Sequence, residues 1–295
     1  MIIDTHQHVF WHKRDDAGLI ADMDEHGIDL AWLLSWEIPA GQYDPQYDKV
    51  LNPLHFLDGQ HRGILLSDLI QTANKYPGRF ILGYCPDPGT GRAAELFESA
   101  YHIHHVRVCG EWKFRMLFDD PRCIELFRRA GSLGCPVVLH LDVPYLKNEK
   151  GQPVYQQNWY GGTVGNLERA LQQCPETKFV GHAPGFWREI SGDADTAPEP
   201  YPPGPITPGG RLLPLFDKYP NLHADLSAGS ALYALKRDKE FSTQFIVRHA
   251  DRLLFGRDIY GGDLMAYLKT LSLPAEVMEK VLFRNATAMV PPAER

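Results

Sequence analysis

The chain has 295 residues, 44% hydrophobic and 23% charged, with net charge −7 and a pI near 6.0. That length suits one large α/β domain or two smaller ones, in an ordinary globular composition. No basic run argues for nucleic acid or an anionic membrane, and no apolar run is long enough to span a bilayer.

The first strand begins at Ile2, which is expected to leave no room for a secretory signal. The five cysteines are odd in number and scattered, with no CxxC, as suits reduced thiols in a cytoplasm. A cytoplasmic location is therefore expected.

Ile2-Ile3-Asp4-Thr5-His6-Gln7-His8 predicts a strand whose two histidines, two residues apart, project to one face. Neutral imidazole is a good ligand for zinc and similar divalent ions, so the pair reads as half a metal site on one rigid strand.

Asp15–Gly27 predicts a helix with a glycine stop, and Ala31–Trp36 a buried strand ending at Glu37. A long irregular stretch runs from Ile38 to Gly63. The pattern then alternates: helix Leu65–Tyr76, strand Arg79–Cys85, helix Thr90–Tyr101, strand from His105 through Cys109, helix Pro121–Leu133. Strand Pro136–Leu141 is apolar except for His140. The loop Asp142–Gly162, helix Thr163–Cys174 and strand Lys178–His182 follow, then a longer loop from Ala183 to Gly209. A short helix Gly210–Tyr219, strand Leu222–Ser227, helical pattern Ser230–His249, strand Leu253–Asp258 and closing helix Pro274–Val290 complete the chain.

Eight short apolar strands alternating with helices predict parallel βα units closing a (β/α)8 TIM barrel. No break in composition divides residues 1–295, so a single domain is expected. In such a barrel the site lies at the C-terminal ends of the strands. There the sequence puts His6 and His8 on strand one, His140 on five, His182 on six and Asp258 on eight. The long loops after strands two, five and six are expected to cover the same mouth.

Alternation on strand four places Val106 and Val108 toward helices and Arg107, Cys109, Glu111 and Lys113 inward. Glu111 and Lys113 then reach the mouth. On strand seven, Leu222, Ala224 and Leu226 face helices, with Asp225 and Ser227 inward. Asp4 shares the His6 face but lies deeper, as an interior hydrogen-bonding group. Trp11, Trp36, Trp159 and Trp187 sit at or just past strand ends, where aromatic walls suit a flat or cyclic substrate, and loop packing accounts for them equally well. Glu37 at the end of strand two is a further substrate contact. Arg188 is a candidate receiver of a substrate carboxylate, against the plainer reading of a surface charge.

The motifs IDTHQH, VVLHLD, FVGHAPG and LLFGRD, with the terminal EKVLFRNATAMV, resemble the amidohydrolase superfamily and within it the amidohydrolase-2 branch. That branch includes lactonases and decarboxylases of the aminocarboxymuconate-semialdehyde type. The resemblance implies one divalent metal held by His6, His8, His140 and Asp258, with His182 hydrogen-bonding the activated water or a substrate oxygen. Zinc is favoured, and manganese or iron also fits. It implies Asp258 and His182 as catalytic residues, Asp258 moving the proton. In two-metal relatives a strand-four lysine or glutamate bridges the ions. Some lactonases of the branch share the pattern yet work without metal.

The expected function is a metal-dependent hydrolase opening a lactone, ester or amide of a small cyclic or acidic molecule. The rivals are a nonoxidative decarboxylase of an aromatic or unsaturated acid, and a non-catalytic barrel kept as a binding module. The expected partner is a small-molecule substrate, with neither nucleic acid nor membrane. Homo-oligomer formation is compatible with this reading.

Overall fold

The computed structural model describes residues 1–292. The eight expected barrel strands form: β1 Ile3–Gln7, β2 Leu30–Leu34, β3 Phe80–Gly83, β4 Cys109–Trp112, β5 Val137–His140, β6 Phe179–His182, β7 Leu222–Asp225 and β8 Leu253–Leu254. Every barrel pairing is parallel, in the order β1-β2-β3 and β4-β5-β6-β7-β8. A parallel bridge from Gly83 to Val108 joins β3 to β4. On the other side the Thr5 amide donates to the Phe255 carbonyl at 2.9 Å, and the Asp258 amide to the His6 carbonyl at 2.7 Å. The strands can be short and largely apolar because both of their faces are covered.

The barrel interior is filled by Ile3, Trp32, Leu34, Val108, Val138 and Val180, with Ala286 and Met289 of the closing helix among them. A larger shell lies between strands and helices, with Phe97, Phe127, Phe179 and Phe216 fully buried in it. Full burial of each such side chain contributes roughly 1.5–3 kcal/mol.

Local chemistry explains where the helices differ from expectation. The pattern Ser230–His249 divides into Ala228–Lys236 and Lys239–Arg248, because the Asp238 side chain caps the Phe241 amide and starts a new helix. The helix Ala93–His104 runs three residues further than expected, until His105 adopts the left-handed conformation at φ 56°. An unexpected helix occupies Asp263–Thr270. Two loops expected to be irregular contain antiparallel hairpins, Phe56–Leu57 with Gln60–His61 and Tyr145–Lys147 with Pro153–Tyr155.

The inward–outward assignment on β4 needs a larger correction. Val108 lies in the barrel interior, while Cys109 faces the helix shell beside Cys85. Arg107 is turned to the helix side, its guanidinium 4.3 Å over the Tyr101 ring. The β4–β5 register slips between Cys109 and Trp112. Such an irregularity inserts a residue and reverses the alternation. Glu111 therefore reaches the mouth although Cys109 points away from it. No helix among the described residues is long and apolar enough to cross a membrane.

Candidate metal centre

His6 is fully buried, and its Nδ1 donates to an Asp225 carboxylate oxygen at 2.8 Å. His8 donates from Nδ1 to the Leu34 carbonyl at 2.8 Å. His182 has its Nδ1 3.1 Å from the other Asp225 oxygen and 2.6 Å from the Ser227 hydroxyl. A proton held on Nδ1 leaves the Nε2 lone pair free, which is how ligating histidines are ordinarily oriented. In all three rings Nε2 faces the same space. Glu111 Oε1 lies 3.8 Å from His6 Nε2 and 3.7 Å from His182 Nε2, and Glu111 Oε2 lies 3.5 Å from His8 Nε2. Asp258 closes the other side, 3.6 Å from His8, 4.0 Å from His6 and 3.8 Å from His182.

His140 is placed differently from the expected ligand quartet. It lies directly opposite His182 in the β5–β6 register. Its Nδ1 contacts Glu111 at 2.6 Å and its Nε2 contacts Asp142 at 2.9 Å, so both ring nitrogens are engaged by carboxylates. Ligand atoms of His6, His8 and Glu111 lie within 4.8 Å of one another, as do those of Glu111, His140 and His182. Glu111 is common to both groups.

The titration directions follow from this crowding. Burial opposes charging His6, but Asp225, Asp258 and Glu111 outweigh it and raise the ring to about 9. Burial and the neighbouring His6 lower His182. Burial alone would raise the Asp225 carboxyl, yet His182 and His6 hold it well below the usual range. Glu111 is likewise buried but held low by Lys113 and His140. Burial and Lys113 oppose a charge on His140, and Glu111 with Asp142 overcomes them, so its pKa is raised.

The residues fit a divalent cation. His6 Nε2 is buried with no hydrogen-bond partner among the described residues. An orphaned buried nitrogen needs an explanation, and an ion is one. Four carboxylates, Glu111, Asp142, Asp225 and Asp258, crowd the site, and a nitrogen-rich set with carboxylates suits zinc, manganese or iron.

Among the expected substrate contacts, Lys113 is buried at the mouth with its ammonium 3.8 Å over the Trp36 ring and 5.4–5.5 Å over Tyr47 and Tyr160. Trp11 packs edge-on against both His8 and Trp36. Glu37 is a correction. It turns away from Trp36, toward the helix Leu66–Lys75, and accepts weakly from the Leu66 amide. Trp187 is another. It is fully buried against Phe186 and Phe245, with its indole N–H on the Asp225 carbonyl. Arg188 is buried rather than a surface charge, and one of its terminal nitrogens is committed to the Ala194 and Ala197 carbonyls. Trp159 is half-buried and donates to the Tyr155 hydroxyl. Of the residues lining a cavity at the mouth, only Arg188 was singled out from sequence. This cavity of about 260 Å³ is bounded by Tyr47, Asp142, Gln156, Asn158, Arg188 and Tyr201. The two long loops do reach it, through Tyr160 packed edge-on against His140 and through Tyr201.

No protein-family model and no curated protein matches the sequence. Solved structures do match. An uncharacterised TIM-barrel protein from Bordetella bronchiseptica superposes with a TM-score of 0.63 at 16% identity, over 100% of this chain and 99% of that one. A proposed 2-pyrone-4,6-dicarboxylic acid hydrolase from Pseudomonas putida gives 0.59 at 15%, over 100% and 98%. A dihydroxybenzoic acid decarboxylase from a Polaromonas species, with bound manganese and the inhibitor 2-nitroresorcinol, gives 0.61 at 17%, over 98% and 96%. The fold shared with these structures is the TIM barrel. The barrel expected from the alternating strands and helices is thus shared with solved structures along nearly the full length of both chains. Hydrolases and decarboxylases share that barrel, so fold leaves the reaction open.

Proposed function

We propose that this barrel is a metal-dependent hydrolase that opens a lactone, ester or amide bond in a small cyclic, acidic molecule. The observation that carries the reading is the convergence of three Nε2 lone pairs on Glu111 and Asp258, each ring fixed through Nδ1. His6, His8 and Asp258 with Glu111 would hold one divalent ion, and Glu111 with His140 and His182 offers a second position. A divalent ion there supplies Lewis-acid polarisation of a carbonyl and lowers the pKa of water to about 7.

The chain's own residues supply the rest. Asp258 is more exposed than His6, His8, His182 and Glu111, at 16% of its side chain, and stands beside three imidazoles. It takes the proton of the attacking water and returns it to the leaving oxygen or nitrogen. His182, neutral and pinned by Asp225 and Ser227, orients the reacting oxygen. Lys113 is an ammonium with no carboxylate in salt-bridge contact, held by aromatic faces, and it receives an anionic group of the substrate. Tyr160 and Tyr201 narrow the entrance and limit water.

The test is a product assay on metal-supplemented protein with a panel of small cyclic lactones and aromatic acids. Acid release on ring opening supports hydrolysis. Release of carbon dioxide without ring opening supports the decarboxylase instead. Neither product, in protein that binds no metal, returns the barrel to a binding role.

A further inference from the structure

Asp258 occupies an unusual backbone position, with φ +60°, a left-handed conformation that is uncommon for a residue other than glycine and persists where its surroundings hold it. The residue before it shows what does the holding. Arg257 is almost wholly buried, as are Asp4 and Asp22. Its backbone amide donates to Asp4 Oδ1 at 2.9 Å and its Nε to Asp4 Oδ2 at 2.7 Å. Its Nη1 reaches Asp22 Oδ2 at 2.8 Å and the Gly261 carbonyl at 3.0 Å.

Asp4 is bonded on two sides. The same Oδ1 that takes the Arg257 amide accepts the His6 amide at 3.2 Å, and its Oδ2 also accepts from Gln7. One carboxylate thus ties the backbone leading into His6 to the backbone leading into Asp258. The Asp258 amide completes the link on the His6 carbonyl at 2.7 Å. Gly256 permits the close approach, since a Cβ there would meet His6 Cβ, Ser227 Cβ and Thr5 Oγ1 at 3.2 Å each. Asp22 carries the link out to the helix Asp16–Glu25, where it also accepts the Gly261 amide.

We propose that Asp4 and Arg257 are positioning residues, a buried clamp that sets Asp258 against His6 and His8 and so fixes the geometry of the metal centre. The inference rests on the metal-centre reading above. Two alternatives separate cleanly. A merely structural ion pair affects stability, and metal affinity follows only as stability does. A clamp affects affinity even where stability is kept. Replacing both partners of a buried pair is often neutral for stability, whereas removing one leaves an unpaired buried charge.

The experiment compares wild type, Asp4→Asn, Arg257→Lys and the double variant Asp4→Asn/Arg257→Met by thermal melting without metal and by zinc competition with a chromogenic chelator. Lysine keeps the charge but cannot fork to Asp4 and Asp22 together. The expected result is a zinc affinity weakened about tenfold or more in Arg257→Lys and in the double variant, in the range seen for supporting groups around metal sites. The double variant is expected to melt within a few degrees of wild type, by about the scale of a small change in a domain of this size. Wild-type zinc affinity in Arg257→Lys, or an affinity in the double variant that recovers together with its melting temperature, overturns the proposal. If either the double variant or Asp4→Asn fails to fold, Arg257→Lys decides alone.

A wild type that binds no zinc counts against the metal-centre reading instead. The clamp is then read from amide hydrogen exchange in the segment 255–260, which should quicken in Arg257→Lys while β5 and β6 stay protected. Unchanged exchange there overturns it.

Discussion

Asp225 bonds both His6 and His182 through their Nδ1 atoms, at 2.8 and 3.1 Å, so one buried carboxylate at the end of β7 fixes two rings on β1 and β6. Its low pKa keeps it ionised across the working range, and its two Nδ1 contacts orient both rings with Nε2 toward the centre. Asp225→Asn keeps the shape but can present its NH₂ to either ring. Zinc affinity should fall about ten- to a hundredfold, measured by chelator competition. An unchanged affinity would mean the rings are held by packing alone.

The sharing of Glu111 between two ligand groups predicts two classes of metal binding. Titration with zinc or manganese should show a tighter step lost in His8→Ala and a weaker step lost in His140→Ala. Glu111→Gln should damage both. A single step that His140→Ala leaves untouched would restrict the centre to one ion and leave His140 as a wall residue held by Asp142.

Asp258→Asn should reduce turnover about a hundredfold or more, the usual worth of a positioned proton carrier. The melting temperature should move little, because the left-handed backbone position tolerates asparagine well. Wild-type turnover in this variant would require another base.

The fold was legible because most barrel strands are short apolar runs, several with a polar residue at or just past the C-terminal end. His6, His8, His140, His182 and Asp258 are those endings, and their convergence follows from barrel geometry alone. Strand four was harder. Its alternation suggested that Cys109 and Glu111 share a face, but the slipped register between Cys109 and Trp112 separates them. Glu111 was placed at the mouth through a parity that does not hold along the strand. Glu37 and Trp187 lie at or beyond strand ends, where alternation carries no information. The aromatic residues that reach the mouth, Tyr47, Tyr160 and Tyr201, lie on long loops whose path no local pattern encodes. The Asp4–Arg257 pair spans nearly the whole chain, and only closure of β8 onto β1 brings it together.

His223, at the foot of the barrel near Lys178 and Arg252, is predicted to make stability fall in mild acid. Burial lowers its pKa to about 4, and its Nδ1 has no hydrogen-bond partner. In the unfolded chain it titrates near 6.5. Between those values the unfolded state binds the proton and the folded state does not, so the stabilising contribution is present above 6.5 and is lost as pH falls toward 4. The shift corresponds to of order 3 kcal/mol. His249, also lowered to about 4 by burial and by Arg252, acts in the same direction. Denaturant unfolding of metal-free protein at pH 7, 5.5 and 4.5 should show the loss, and His223→Gln should flatten it. A parallel pH dependence in the variant would assign the acid sensitivity elsewhere.

Lys113 sets the final prediction. A buried ammonium is costly unless something compensates it. Burial opposes its charge, but Tyr47, Glu111, Asp258 and Asp142 prevail, so its pKa is raised and it stays charged at the mouth. It makes no hydrogen bond among the described residues, and its ammonium stands 3.8 Å over the centre of the Trp36 ring. A cation stabilised by ring faces and by carboxylates beyond contact distance keeps its N–H donors available to a ligand. Lys113→Met keeps the length and apolar stem while removing those donors. In calorimetry on metal-loaded protein, isophthalate should bind wild type more tightly than benzamide, a neutral aromatic with no carboxylate. The variant should lose about tenfold or more of that preference, the scale of one charge-assisted hydrogen bond of about 1.5–3 kcal/mol. Benzamide binding should be nearly unchanged, because the aromatic walls remain. If isophthalate binds the variant as tightly as wild type, Lys113 serves only to balance the carboxylates of the metal centre. Recognition of the acid would then fall to another group at the mouth, with the buried Arg188 beside the same cavity the next to be substituted.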